Sequence, residues 1–243
     1  MIELLFFVSA FLAEVIGTIA GFGSSTIFLP LALFFVDFQT ALILVAFFHI
    51  FGNLSRMAFF RHGLDRRLLL IFGVPSVLLT ILGALLVNYA PSDLLKMALG
   101  IFLLIFALVS IIKPNFKFNP SKRNAIIGGS LSGFLAGLIG TGGAIRGAFL
   151  AAFNLRKNVY IATAAAIALA VDVTRIPVYL GSSFLEPQFY SSIPLLFIIA
   201  IAGSYLGKKI VDKIPQTIFR KVVLVAITLI GLKFIYDGVL YLI

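Results

Sequence analysis

Long apolar stretches fill this chain, and two glycine-rich breaks interrupt them at matching places. Ile2–Ala20 is apolar apart from Glu3, Glu14 and Thr18. Its end runs into the first break, Gly17-Thr18-Ile19-Ala20-Gly21-Phe22-Gly23-Ser24-Ser25-Thr26. Ile27–Val36 is apolar again, but a helix of that length cannot cross a bilayer at about 1.5 Å per residue. The pattern predicts a re-entrant hairpin or a pair of short tilted helices. Thr40–Phe60, Leu68–Tyr89 and Asp93–Ile112 each have spanning length. The polar segment Lys113–Asn124, with Pro114 and Pro120, then joins two halves.

The second half repeats the plan. Ala125–Ile139 leads into the break Gly133-Phe134-Leu135-Ala136-Gly137-Leu138-Ile139-Gly140-Thr141-Gly142-Gly143, and Ala144–Asn154 is another short apolar piece. Asn158–Leu180, Gln188–Gly207 and Ile218–Leu242 follow as spans. Asn53-Leu54-Ser55-Arg56 and Asp172-Val173-Thr174-Arg175 supply a second matched motif at nearly the same offset, which supports an internal repeat. The expected organisation is a first transmembrane repeat over 1–112, a cytoplasmic linker over 113–123 and a second repeat over 124–243. The expected class is an all-α polytopic membrane protein of two inverted repeats, each a glycine-broken helix pair plus three transmembrane helices.

Composition agrees. The chain is 61% hydrophobic and only 12% charged, against roughly 25% charged in soluble domains. Without cysteine, disulfides and thiolate chemistry are excluded. With His49 and His62 as the only histidines, no metal site is expected. The start of the chain lacks a basic region and carries Glu3 and Glu14, so it does not read as a cleaved signal peptide.

The net charge of +10 has a topological reading rather than a nucleic-acid one. If each broken pair returns to the side it entered, the basic segments Arg61–Arg67, Lys113–Arg123, Arg156–Lys157 and Lys208–Lys221 fall on one face. Glu3, Asp37, Asp93 and Glu186 fall on the other. The positive-inside rule makes the basic face cytoplasmic in the cell membrane and puts both termini outside.

Glycine breaks in repeated membrane helices point to a secondary transporter, with half-helix N-termini facing a substrate near the midplane. Free N–H groups and the helix dipole there favour an anion. The expected binding residues are Gly21, Gly23, Ser24, Ser25, Thr26, Gly140, Thr141, Gly142, Gly143 and Arg146. Small residues also let membrane helices pack closely, so packing is the competing explanation for the glycines. Arg146 either meets an anion at membrane depth or snorkels to the interface. Asn53, Arg56, Asp172 and Arg175 are candidate gates, with one arginine expected near each mouth. Interface anchoring, or an Asp172–Arg175 pair one turn apart, is the plainer role. Glu14 and His49 are candidate coupling groups, and an intramembrane histidine also serves as a hydrogen-bonded packing residue. No catalytic motif appears and no cofactor is implied.

With these residues in hand, the chain resembles the TauE/SafE sulfite exporter family. The resemblance is carried by Ala20-Gly21-Phe22-Gly23-Ser24-Ser25 through Pro30, by Ala136 to Gly143, and by the spacing to Thr163-Ala164-Ala165-Ala166. It covers essentially the whole chain and implies transport of a small sulfur oxyanion or organosulfonate, such as sulfite or sulfoacetate. Ser24-Ser25-Thr26 stands where such proteins commonly carry more glycine, which favours side-chain hydroxyls in the first half. An anion channel and a transporter of small carboxylates are the alternatives. A coupling proton or sodium ion, and pairing into a homodimer, are compatible with this class.

Overall fold

A computed structural model describes residues 2–20, 23–59, 63–113, 118–210 and 216–242. Every regular element among them is helical. The first half holds α1 (Ile2–Ala20), the short α2 (Ser25–Ala32) and α3 (Phe38–Phe59). It continues with α4 (Arg66–Tyr89) and α5 (Ser92–Ile112). The second half holds α6 (Lys122–Ile139), the short α7 (Gly143–Ala151), α8 (Lys157–Gly181), α9 (Ser192–Ile210) and α10 (Gln216–Leu242). The expected short pieces and long segments are all present, with boundaries moved by a few residues.

Local chemistry sets several of these limits. The side chain of Asp65 accepts from the Leu68 N–H at 2.9 Å and starts α4, and Ser121 caps α6 through the Asn124 N–H. Within α4, Leu69–Gly73 winds as a π-turn immediately before Pro75. A proline lacks the N–H that would close the preceding α-turn, and a wider turn is the local answer. Gly140 ends α6 with φ +72°, a left-handed cap that favours glycine.

Among the described residues, six helices are long and apolar enough to cross a membrane, three in each half. At 8 and 9 residues, α2 and α7 rise only about 12–14 Å and cannot cross alone. The protein is an integral membrane protein.

The packing exchanges partners between halves. Helix α1 packs on α9 while α6 packs on α4, and α3 touches α9 while α8 touches α4. Three pairs join equivalent elements: α3 with α8, α5 with α10, and α2 with α7. The central pair is α3 and α8, with windows 61% and 50% buried against 28–39% for the other four spans. The outer helices turn their apolar faces outward, as helices in lipid do.

Close approach is built from small residues. Along α6, Gly129, Gly133 and Gly137 lie against the carbonyls of Phe72, Ser76 and Thr80 of α4. A β-carbon there would come within 2.2, 2.0 and 2.2 Å of those oxygens. The hydroxyls of Ser76 and Thr80 return the contact by donating to the Gly129 and Gly133 carbonyls. Across α1 and α9, Gly203 and Gly207 make room for Glu14 and Thr18.

Candidate functional site

The two breaks meet. Each half-helix begins at its break, α2 after Ser24 and α7 after Gly142, and the first turn of a helix has no internal acceptors for its N–H groups. The hydroxyls of Thr26 and Thr141 lie 2.9 Å apart and tie the two starts together. Gly23, at φ +90°, makes the turn into α2. A β-carbon on it would stand 3.2 Å from His49 Nε2 and 3.8 Å from Arg146 Nη2, so these two groups converge on the same glycine.

Around this point the described residues bury six acidic, basic or histidine side chains: Glu14, His49, Arg56, Arg146, Asp172 and Arg175. In the first cluster, Arg56 Nη2 sits 2.6 Å from Glu14 Oε1. The same carboxylate oxygen accepts from Ser204 Oγ at 2.6 Å. Arg56 also donates to Asn53 Oδ1 at 2.8 Å and, at 3.4 Å, to Thr18 and Ser24. Gly52 lets the carboxylate in, since a β-carbon there would lie 2.6 Å from Glu14 Oε1.

In the second cluster, Asp172 Oδ1 receives Arg175 through Nε at 3.0 Å and Nη2 at 2.7 Å. Its other oxygen lies 3.2 Å from Asn53 Nδ2 and 2.8 Å from His49 Nδ1. The His49 contact has ion-pair distance without hydrogen-bond alignment, and His49 Nε2 has no partner among the described residues. Asn53 thus bridges the two clusters, and with them α3 and α8. Arg175 also donates to the carbonyls of Ala136 and Gly140, where a cation offsets the negative end of the α6 dipole. Tyr179 donates to the Gly137 carbonyl beside them.

Arg146 differs from the other two arginines. It is only 5% exposed, yet no hydrogen bond or ion pair holds its guanidinium among the described residues. It faces a cavity of about 30 Å³ that Gly23, Asn53, Arg56 and Gly143 also line. Thr18 adds a hydroxyl to the wall, and Gly17, Gly147, Ile161, Ala164 and Ala165 complete it. The interior thus has room for about two waters.

These positions sort the sequence expectations. Gly23, Gly143, Arg146, Asn53 and Arg56 border the cavity. Ser24 stands behind Arg56, Ser25 is buried, and Thr26 and Thr141 spend their hydroxyls on each other. Gly140 is the α6 cap, while Gly142 fits against the Ser132 carbonyl, which a β-carbon would approach to 2.0 Å. Gly21 lies outside the described residues. Arg56 and Arg175 do not stand at the mouths; both are buried and ion-paired, because carboxylates from α1 and α8 reach them. Arg146 does not snorkel; its side chain is buried and lines the cavity.

Sequence reading missed Thr18, Gly52, Ser204 and Tyr179. The signal for one of them was present: Gly203-Ser204 is a small, polar pair inside an apolar helix.

Neither the curated proteins nor the solved structures contain a significant match to this chain. A family model described as sulfite exporter TauE/SafE matches residues 6–234, which takes in both breaks, the cavity and most of every paired helix described above. The chain belongs to the sulfite exporter TauE/SafE family of membrane transporters.

Proposed function

We propose that this protein is a secondary transporter of a small anion, a sulfur oxyanion or compact organosulfonate, working by alternating access between two inverted halves. The observation that carries this reading is Arg146: a buried guanidinium without a protein partner among the described residues, facing a cavity that Asn53, Arg56 and Thr18 also line. An unpaired cation at membrane depth is costly, and an anion in the cavity would repay that cost. Arg56, Asn53 and Thr18 add donors, and the free N–H groups at the start of α7 point the same way.

The cavity lies toward the basic end of the fold. Arg56 is one turn from the end of α3, and Ala164 and Ala165 are about two turns from the start of α8 behind Arg156. Lys208 Nζ reaches the Phe59 carbonyl, so α3 and α9 end on the same side. In the direction away from that end, the rings of Phe6, Phe28 and Phe48 pack at tilted angles with centroids 5.3 and 4.8 Å apart and would close the way out. With the basic segments cytoplasmic, this is a state turned toward the cytoplasm and shut on the outside, with both termini outside. Opening the other side would move α2 and α7 and remake the Asn53 bridge, which makes Arg56, Asp172 and Arg175 gating groups and Glu14 and His49 coupling groups.

The test is sulfite flux into proteoliposomes. A transporter shows saturation with concentration and counterflow driven by internal sulfite. Linear flux without counterflow would identify a channel, and saturable flux of small carboxylates alone would overturn the sulfur-anion assignment.

A further inference from the structure

The buried ionisable groups form a charge balance. Glu14 is held by Arg56, and Asp172 by Arg175. Arg146 is the third buried guanidinium and has no carboxylate of its own among the described residues. With His49 neutral, three cations face two anions, so the cluster holds one net positive charge. Interiors of this kind do not hold uncompensated charge cheaply. One negative charge in the cavity restores balance; two would overshoot it.

We infer that the site carries one net negative charge per transport event, a monoanion against Arg146 or a dianion together with a proton on His49. The inference rests on the anion site proposed above. His49 is placed for that task. Its Nδ1 lies against Asp172 while its Nε2 has no partner among the described residues and faces Gly23 beside Arg146. Protonated, it has a carboxylate on one side and the incoming anion on the other.

The charged groups around His49 are few. Asp172 approaches from α8, Arg146 from α7, and Arg56 lies two turns along α3 with Glu14 of α1 beyond it. Helix α2 brings no titratable group, and Asp93 and Lys96 of α5 pair with each other near its start. Sulfite exchanges between monoanion and dianion near neutral pH, so a site with this balance accepts both forms without changing the charge it moves.

The experiment compares two anions of similar size and fixed charge in proteoliposomes of the full chain, methanesulfonate (monoanion) and sulfate (dianion). Flux and current are recorded together. The expected result is one net negative charge per molecule for both. Sulfate flux should rise as pH falls, by up to about tenfold per pH unit where protonation of His49 limits it, while methanesulfonate flux stays flat across roughly pH 5–8. In His49→Gln the ratio of sulfate to methanesulfonate flux should drop at least about tenfold and the sulfate pH slope should vanish. Two charges per sulfate, or an unchanged ratio in His49→Gln, would overturn the inference and leave the anion site standing. The charge count on the unsubstituted protein decides the matter if the variant does not fold. If neither anion nor sulfite moves at all, the transport reading itself falls.

Discussion

Thr26 and Thr141, one from each glycine-rich break, face each other with hydroxyl oxygens 2.9 Å apart. The contact joins α2 to α7 at the point where both half-helices begin. Replacing either threonine alone by valine leaves the other hydroxyl buried and unsatisfied, a cost of about 1–3 kcal/mol. The double change Thr26→Val with Thr141→Val removes both partners in the same shape and should cost much less than the sum of the singles. Thermal unfolding in detergent across this cycle gives the coupling directly. Strict additivity would mean that the two hydroxyls do not meet.

A second prediction concerns Glu14 and Arg56. Glu14→Ala strands a buried guanidinium, and breaking such a pair costs about 3–5 kcal/mol. Gly52→Ala should reproduce much of that loss from the opposite side, because its β-carbon would enter the space of Glu14 Oε1. Stability measurements on both variants check this. A neutral Gly52→Ala would show that Glu14 does not lie against α3.

Arg146 predicts the opposite sign. In Arg146→Gln a buried cation without a partner among the described residues is replaced by a neutral amide. The anion-free protein should gain at least about 1 kcal/mol, or some 2–4 °C in Tm. A loss of stability in anion-free buffer would mean that Arg146 already has a structural partner.

Much of this arrangement is legible in the chain itself. The two breaks, the short pieces after them and the long spans follow from where apolar runs stop. The Asp172–Arg175 pair follows from a three-residue spacing on one helix face. What periodicity does not carry is which charges meet across helices. Glu14 and Arg56 are 42 residues apart, Asn53 and Asp172 are 119 apart, and nothing local marks them as partners. The arginines therefore read as gates at the mouths, although both lie inside. Glycine function is equally hidden: Gly23 borders the cavity, while Gly140 and Gly142 serve the turn and the packing behind it.

The α4–α6 contact separates sterics from hydrogen bonding. Ser76→Ala removes one hydroxyl bond to the Gly129 carbonyl, and interhelical bonds of this kind average about 0.6 kcal/mol. Gly133→Ala forces a methyl group against the Ser76 carbonyl, and overpacking costs about 1–3 kcal/mol. The glycine variant should therefore be the less stable of the two by thermal unfolding. The reverse order would assign the contact to hydrogen bonds.

The proposed function makes Arg146 the group that holds the substrate. The most direct measurement is sulfite binding to purified protein, with and without Arg146→Gln, by calorimetry at fixed pH. Truncating one partner of a buried charge contact costs about 2–5 kcal/mol, so affinity should fall at least about thirtyfold. An Arg146→Gln protein that is folded and binds sulfite as tightly as the unsubstituted chain would contradict this role.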